Sequence, residues 1–210
     1  TIAGSDSGGG AGIQADLKTF AANGCYGFSV VTALTAQNTR GVAAIHPVPV
    51  DFVAQQLDAV LPDIGADAVK IGMLYSPELI EMVARKLREY GAAHVVLDPV
   101  MVAQSGDKLL RDDAVAALKT HLIPLAEILT PNIPEAEVLL GRKIPGAAEM
   151  PAAAEELMRF GCRNVLVKGG HLEGAASDDC LYLGAEKRLV RLPGVRIETR
   201  NNHGTGCTLS

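Results

Sequence analysis

Short apolar runs alternate with amphipathic segments along most of this chain, and no other feature of the sequence restricts its fold as strongly. Runs rich in β-branched and other apolar residues predict buried strands at positions 28–34, 68–73, 94–97 and 164–167. Apolar residues at helical spacing fill most of the stretches between them. Strands that alternate with helices predict an α/β fold, whose central, largely parallel sheet carries helices on both faces.

The composition favours one globular domain that binds a small molecule. Of the 210 residues 48% are hydrophobic, enough for a large core, so we expect a single domain over residues 1–210. The formal net charge of −5 comes from well-mixed charges and gives no basic stripe for nucleic acid or anionic lipid. The sequence has no apolar run of about 18 residues and no signal-peptide pattern, so we expect a cytoplasmic protein. It starts without Met inside a strand and stops at a helix start, so both ends read as truncated.

Two glycine-rich segments are prominent, at residues 4–12 and 203–207. The first lies between a strand end and a helical pattern, where dinucleotide-binding proteins carry G-x-G-x-x-G. Counted from Gly8, that motif requires glycine at position 13, which is occupied by Ile13. The phosphate-binding motif G-x-x-x-x-G-K-[ST] does not occur in the sequence either. Both a Rossmann-type dinucleotide cofactor and a P-loop nucleotidase are therefore disfavoured.

The second glycine-rich segment follows a strand-like run at 195–199 and contains Cys207. Glycines allow backbone N–H groups at a helix start to converge on an anion. A thiol there ionises more readily, because the positive end of the helix dipole favours the thiolate. Taken alone, the segment favours a glycine turn with a packed cysteine over an anion site, since free cysteine commonly packs as a small hydrophobic residue.

Polar residues follow the predicted strands, and each also has a structural explanation. Asp98 suits a loop cap, Asn132 and Glu135 suit a capping box, and Lys168 suits a surface turn. However, the carboxyl ends of parallel strands share one edge of a sheet, where α/β proteins bind ligands. We therefore expect a single site that contains Asp6, Gln37, Asp98, Asn132, Glu135, Lys168 and the terminal glycine segment.

Six motifs occur in order along the chain: GSDSGGGAG at 4–12 with QAD at 14–16, TAQNT at 35–39, DPVMV at 98–102, TPN at 130–132 with Glu135, VKGGH at 167–171, and HGTGCT at 203–208. Together they resemble the hydroxymethylpyrimidine/phosphomethylpyrimidine kinases of thiamin biosynthesis, which belong to the ribokinase-like superfamily. The resemblance implies a three-layer ribokinase-like fold. It also implies that ATP phosphorylates 4-amino-5-hydroxymethyl-2-methylpyrimidine and then its monophosphate.

The resemblance assigns roles to individual residues of this sequence. It implies that Gly4, Asp16, Gln37 and Met73 bind the pyrimidine. The periodicity of the first helix, in contrast, places Asp16 away from the apolar stripe.

For the nucleotide and the metal, the resemblance implies a second group of residues. Lys168, Asn132 and Thr205 would contact ATP. Asn132, Glu135 and Asp98 would organise Mg²⁺, mostly through water.

Catalysis is assigned by the same resemblance to the terminal segment. Gly204 and Gly206 would form an anion hole beside Lys168, and Cys207 would accept the proton of the substrate hydroxyl. Most ribokinase-like enzymes carry Asp where Cys207 stands, and the cysteine is similar to this family and to some related pyridoxal kinases. In the loop after Asp98 the family often continues with Ala-Lys-Ser-Gly, whereas Gln104 replaces that lysine here.

Two other functions fit the same motifs. Pyridoxal kinase also phosphorylates a hydroxymethyl group on a flat heteroaromatic ring, but Gln37 favours the aminopyrimidine because its amide both donates and accepts hydrogen bonds. A non-catalytic ligand-binding protein of the same fold is the other alternative, and the presence of Cys207 and Lys168 disfavours it. The family further implies a homodimer.

Overall fold

A computed structural model describes residues 1–101, 109–111, 113–171, 177–199, 201 and 203–210. Within these residues one sheet contains nine strands. They are β1 (Ile2–Asp6), β2 (Val30–Asn38), β3 (Gly41–Pro47), β4 (Val69–Ile71), β5 (Val95–Leu97), β6 (Ile128–Leu129), β7 (Asn164–Val167), β8 (Asp179–Leu183) and β9 (Arg188–Leu192).

The strands lie in the order β3-β2-β1-β4-β5-β6-β7-β8-β9 across the sheet. The six strands from β2 to β7 in this order pair in parallel, and β3, β8 and β9 add antiparallel pairs at the two edges. This arrangement confirms the α/β fold and the largely parallel sheet that the alternating sequence pattern predicts. The carboxyl ends of β1, β2, β4, β5, β6 and β7 consequently lie along one edge.

Helices connect most of the parallel strands, namely α1 (Gly12–Ala22), α2 (Val50–Val60), α3 (Pro77–Glu89), α4 (Ala114–Ala117), α5 (Ile133–Leu140) and α6 (Met150–Leu157), and α7 (Thr205–Leu209) follows β9. The sequence pattern at 112–121 predicts a single helix. Its described part begins at α4 and continues as a π-helical turn, Leu118–Leu122, and a 3₁₀ turn that contains Pro124. None of the helices in the described ranges combines the length and hydropathy needed to cross a membrane.

Both faces of the central sheet are covered, as strand β4 illustrates. Its three residues, Val69, Lys70 and Ile71, are at most 4% exposed, although successive side chains of a strand point to opposite faces. Ile71 belongs to the apolar core that also contains Leu57 of α2 and Leu87 of α3. Lys70 points to the opposite face, where it contacts α1. Helices therefore cover the sheet on both sides, as the sequence predicts.

Three strand predictions differ from the structure, two at the end of the strand and one over its whole length. β1 extends to Asp6, which the sequence placed in a loop, because β1 pairs with β2 as far as Asp6 and Thr35. β2 continues through Gln37 to Asn38, since its antiparallel ladder with β3 extends that far. Of the strand expected at 195–199, only a single bridge residue, Val195, is present among the described residues. Its apolar residues Val195 and Ile197 are 86% and 81% exposed, so burial does not favour a longer paired strand there.

Candidate active site

A cavity of about 360 Å³, which we call the outer cavity, opens at the carboxyl-terminal edge of the parallel strands. Polar groups reach it from four strand ends and from the start of α7, while Val100, Met101 and Leu109 supply part of its apolar wall. The structure thus brings together most of the residues that the sequence placed at this edge, namely Gln37, Asp98, Asn132, Glu135, Lys168, Gly204, Thr205, Gly206 and Cys207.

A smaller cavity of about 50 Å³ lies deeper at the same edge, and we call it the inner cavity. Gly4 of β1, Lys70 of β4 and Met73 line it. A Cβ atom on residue 4 would lie 3.1 Å from the sulfur of Met73, so glycine at this position keeps the wall open. Gln37 and Cys207 line both cavities and therefore stand where the two meet.

Lys168 and Asp98 form a buried ion pair in the outer part of the site. The Lys168 Nζ atom lies 2.8 Å from Asp98 Oδ1, and their side chains are 9% and 3% exposed. The Lys168 ammonium also donates to the Ser210 hydroxyl over 3.3 Å. A Cβ on Gly206 would lie 3.7 Å from the same ammonium, so the cation stands close to the backbone at the start of α7. A fixed positive charge is thus combined with a glycine backbone beside an open cavity.

Asn132 and Glu135 form the capping box of α5, which was one of the two interpretations of their spacing. The Glu135 N–H donates to Asn132 Oδ1, and the Asn132 N–H donates to Glu135 Oε2, both over 2.9 Å. The structural role does not remove the side chains from the site, because both residues also line the outer cavity. Burial, reinforced by the nearby Asp98 carboxylate, raises the pKa of Glu135 to about 7.

We expect Asn132→Ala to reduce both stability and activity. The loss of the side-chain cap should cost about 1 kcal/mol of unfolding free energy, measured by urea denaturation. If Asn132 also supports a metal through water, kcat/KM for Mg·ATP should fall about 10–100-fold. Ser76→Ala is the matched control, because Ser76 caps α3 through the N–H of Leu79 and does not line either cavity. Equal losses of activity in the two variants would contradict a role of Asn132 in the site.

Asp6 forms hydrogen bonds with both glycine-rich segments. Its carboxylate accepts hydrogen bonds from the N–H groups of Gly8, Gly10 and Ala11 over 2.7–2.9 Å. His203 Nε2 lies 2.8 Å from Asp6 Oδ2, which joins the loop after β1 to the segment before α7. The sequence singled out Asp6 as a residue of this edge but gave no role to His203, whose partner is 197 residues away.

Asp6 should make stability depend on pH. Burial opposes ionisation, but the hydrogen bonds from His203 and from the backbone outweigh it and lower the pKa of Asp6 below its ordinary value of 3.8. Its stabilising effect is therefore complete above pH 3.8 and is lost as the pH falls through the folded-state pKa. We expect Asp6→Asn to lower the unfolding free energy by about 1.5–3 kcal/mol at pH 7, and by less at pH 3. Urea titrations measure the difference in unfolding free energy between the wild type and Asp6→Asn. If that difference stayed constant from pH 7 to pH 3, it would contradict this role.

Cys207 lies in the first turn of α7, as the sequence predicts, but its environment differs from the expected one. Burial raises the pKa of the thiol above its ordinary value, and this outweighs the lowering effect of the Lys70 ammonium and of the Gly12 N–H. The predicted lowering of this pKa by the helix start was therefore wrong. Burial of the thiol outweighs the effect of the helix start.

Asp16 is also placed differently from the expectation. It is buried against Lys70, with 2.8 Å between Asp16 Oδ1 and Lys70 Nζ, and is absent from the described lining of both cavities. The helical periodicity placed Asp16 on the polar face of α1 because it could not reveal a lysine inside a neighbouring strand. Lys70 itself was missed, although a charged residue inside the apolar run 68–73 is a signal. Gln104, which replaces a lysine typical of the family, lies outside the described residues.

The fold and the site define a kinase of the ribokinase-like class. The crystal structure of pyridoxal kinase from Bacillus subtilis, a complex with ADP, superimposes with a TM-score of 0.89 and 37% identity, covering 99% of this chain and 78% of that chain. Phosphomethylpyrimidine kinase from Clostridium difficile superimposes with a TM-score of 0.84 and 48% identity, covering 92% of this chain and 82% of that chain.

Within this class, the chain belongs to the phosphomethylpyrimidine kinase family, whose model matches residues 6–210. The hydroxymethylpyrimidine/phosphomethylpyrimidine kinase of Rhizobium meliloti is 60% identical over 211 residues, which cover 100% of this chain and 78% of that relative. The family resemblance carried by the six sequence motifs is confirmed.

Proposed function

We propose that this chain uses ATP to phosphorylate the hydroxymethyl group of 4-amino-5-hydroxymethyl-2-methylpyrimidine, and then phosphorylates the resulting monophosphate. The observation that carries this proposal is the position of Cys207 at the junction of the two cavities. A small ring bound against the inner cavity would present its hydroxymethyl group to the thiol. The outer cavity, with Lys168, would then receive the phosphates.

The residues of the inner cavity suit an aminopyrimidine. The Thr35 hydroxyl lies 3.0 Å from Gln37 Oε1 and so fixes the amide of Gln37 at the junction of the cavities. An amide carries both donors and an acceptor, which match the alternating amino group and ring nitrogens of the substrate. Gly4 and Met73 provide a narrow apolar wall for the flat ring.

Phosphoryl transfer depends mainly on positioning and on stabilising charge over the transferred group. Lys168 is held in place by Asp98, and it provides a fixed cation beside Gly206. The first N–H groups of a helix have no acceptor within that helix, so the start of α7 adds donors next to Gly204 and Gly206. As the substrate oxygen bonds to the γ-phosphorus and ADP leaves, the hydroxyl proton passes to the Sγ atom of Cys207 in its thiolate form.

The oxygen-rich side of the outer cavity fits Mg²⁺. Asp98 and Glu135 offer two carboxylates, and Asn132 offers an amide oxygen, which are the hard donors that this ion prefers. In the described part of the chain no three His, Cys, Asp or Glu residues converge tightly enough to hold a metal alone. That agrees with an ion that keeps several waters and binds largely through ATP phosphates. When bound, Mg²⁺ would neutralise charge on the β- and γ-phosphates.

The substrate assignment is tested by comparing kcat/KM for the pyrimidine and for pyridoxal with the same protein. We expect the pyrimidine to be preferred, since the identity to phosphomethylpyrimidine kinases, 60% and 48%, exceeds the 37% identity to pyridoxal kinase. ATP consumption that depends on the pyrimidine would also exclude a non-catalytic binding protein. A clear preference for pyridoxal would overturn the proposed substrate.

A further inference from the structure

Lys70 is a buried cation in the wall of the inner cavity. Its side chain is 4% exposed, and that of its partner Asp16 is 1% exposed. Asp16 Oδ1 accepts from Lys70 Nζ over 2.8 Å, and Asp16 Oδ2 accepts from the Thr1 hydroxyl over 2.5 Å. Both carboxylate oxygens are therefore used, so the position of the ammonium is fixed. Lys70 and Cys207 line the same inner cavity.

Stability alone does not account for this ion pair. Removing two charges from water costs several kcal/mol for each ion, and apolar residues of similar size often serve equally well inside a protein. The flanking strand residues Val69 and Ile71 are apolar and fully packed. A lysine between them is therefore expected to have a role on the face of the sheet to which it points, which is the face of Cys207.

The charged groups around Cys207 divide into two sets. Near the thiol stand Lys70 of β4, Asp16 of α1 and Asp98 after β5, and the Gly12 N–H donates to the sulfur. Towards the outer cavity stand Lys168, Glu135, His171 and His203. Burial works against the thiolate, and among the neighbouring groups the Lys70 ammonium lowers the pKa of Cys207 most.

We propose that Lys70, fixed by Asp16, is a positioning residue that stabilises the thiolate form of Cys207, the form that accepts the substrate proton in phosphoryl transfer. The inference rests on the proposed function and assigns separate tasks to the two buried lysines. Lys168 faces the outer cavity and the phosphates, whereas Lys70 faces the thiol. The Lys70 ammonium opposes the effect of burial and so increases the fraction of Cys207 in the thiolate form. A lone pair of that thiolate takes the hydroxyl proton while the oxygen bonds to phosphorus and ADP departs.

The test compares two variants of the full-length protein that differ only at position 70: Asp16→Asn, and Asp16→Asn combined with Lys70→Met. This pair avoids leaving a buried carboxylate without its cation. The readout is the pH dependence of Cys207 alkylation by iodoacetamide, followed by mass spectrometry of the Cys207 peptide. An opposite charge within about 4–6 Å shifts a pKa by about 1–3 units. We therefore expect the alkylation midpoint to be at least about one pH unit higher in the double variant.

Two further variants separate charge from packing. Lys70→Arg retains the cation and should keep the midpoint near that of the wild-type protein. Lys86→Met removes another paired lysine, whose Nζ lies 2.7 Å from Asp58 Oδ1, and should leave the midpoint unchanged. If the Met variant does not fold, Asp16→Asn combined with Lys70→Gln provides the same comparison with a polar side chain.

The alkaline shift should also appear in the pH profile of kcat, which a purely structural role would not move. Equal alkylation midpoints in folded proteins with and without the cation at position 70 would overturn the inference. Failure of the proposed function would be seen separately, as ADP release by the wild-type protein that does not depend on the pyrimidine. The alkylation experiment needs neither substrate, so the two failures are distinguishable.

Discussion

Cys207→Ala is expected to lower kcat about 10²–10⁴-fold, which is the typical contribution of a positioned general base. The substrate hydroxyl would then have no group at the junction of the cavities to take its proton. Binding of the pyrimidine should survive, because Gly4, Gln37 and Met73 still line the inner cavity. Steady-state ADP release measures the loss, and calorimetry with the pyrimidine measures the retained affinity.

The matched control for this variant is Cys25→Ala, which removes an exposed thiol outside both cavities. It should retain wild-type turnover. If Cys207→Ala kept wild-type kcat, Cys207 could not be the proton acceptor. If it lost pyrimidine affinity in proportion to kcat, the thiol would be a binding contact instead.

Gly204→Ala should lower activity nearly as much as Cys207→Ala does, for a geometric reason. Gly204 has φ +81°, a left-handed conformation that disfavours side chains, and a Cβ atom there would lie 1.7 Å from the carbonyl oxygen of Gly10. The two glycine-rich segments would have to separate, which would displace the start of α7 and Cys207. A displacement of about 1 Å in a catalytic arrangement can cost about 10²-fold in rate, so we expect kcat/KM to fall by at least that factor.

Gly146→Ala is the control for this effect. Residue 146 has an extended backbone, and no atom lies within 4 Å of a Cβ placed on it. It should retain both activity and thermal stability. Wild-type kcat/KM in Gly204→Ala would show that close contact between the two segments is not needed for catalysis.

The sequence predicts those features that depend on local pattern or on the topology of a parallel sheet. Asn132 and Glu135 are three residues apart, so their mutual capping follows directly from helix geometry. The meeting of Gln37, Asp98 and Lys168 follows from the rule that parallel strands share one carboxyl edge. The single domain, the cytoplasmic location and the homodimer stay predictions.

Features that depend on distant partners were missed. Asp16 and Lys70 are 54 residues apart, and only their packing shows that each neutralises the other. Asp6 and His203 are 197 residues apart. The predicted pKa shift of Cys207 was wrong in direction. The helix start is a local signal, whereas burial of the thiol results from the whole fold. Local signals identify candidate residues, and packing decides their chemistry.

The most direct test of the central claim is mass spectrometry of the products formed from ATP, Mg²⁺ and 4-amino-5-hydroxymethyl-2-methylpyrimidine by the full-length protein. We expect the pyrimidine monophosphate to form first and the diphosphate to follow, with one ADP released in each step. ATP left unconsumed and the pyrimidine left unphosphorylated by folded protein would contradict the proposed function.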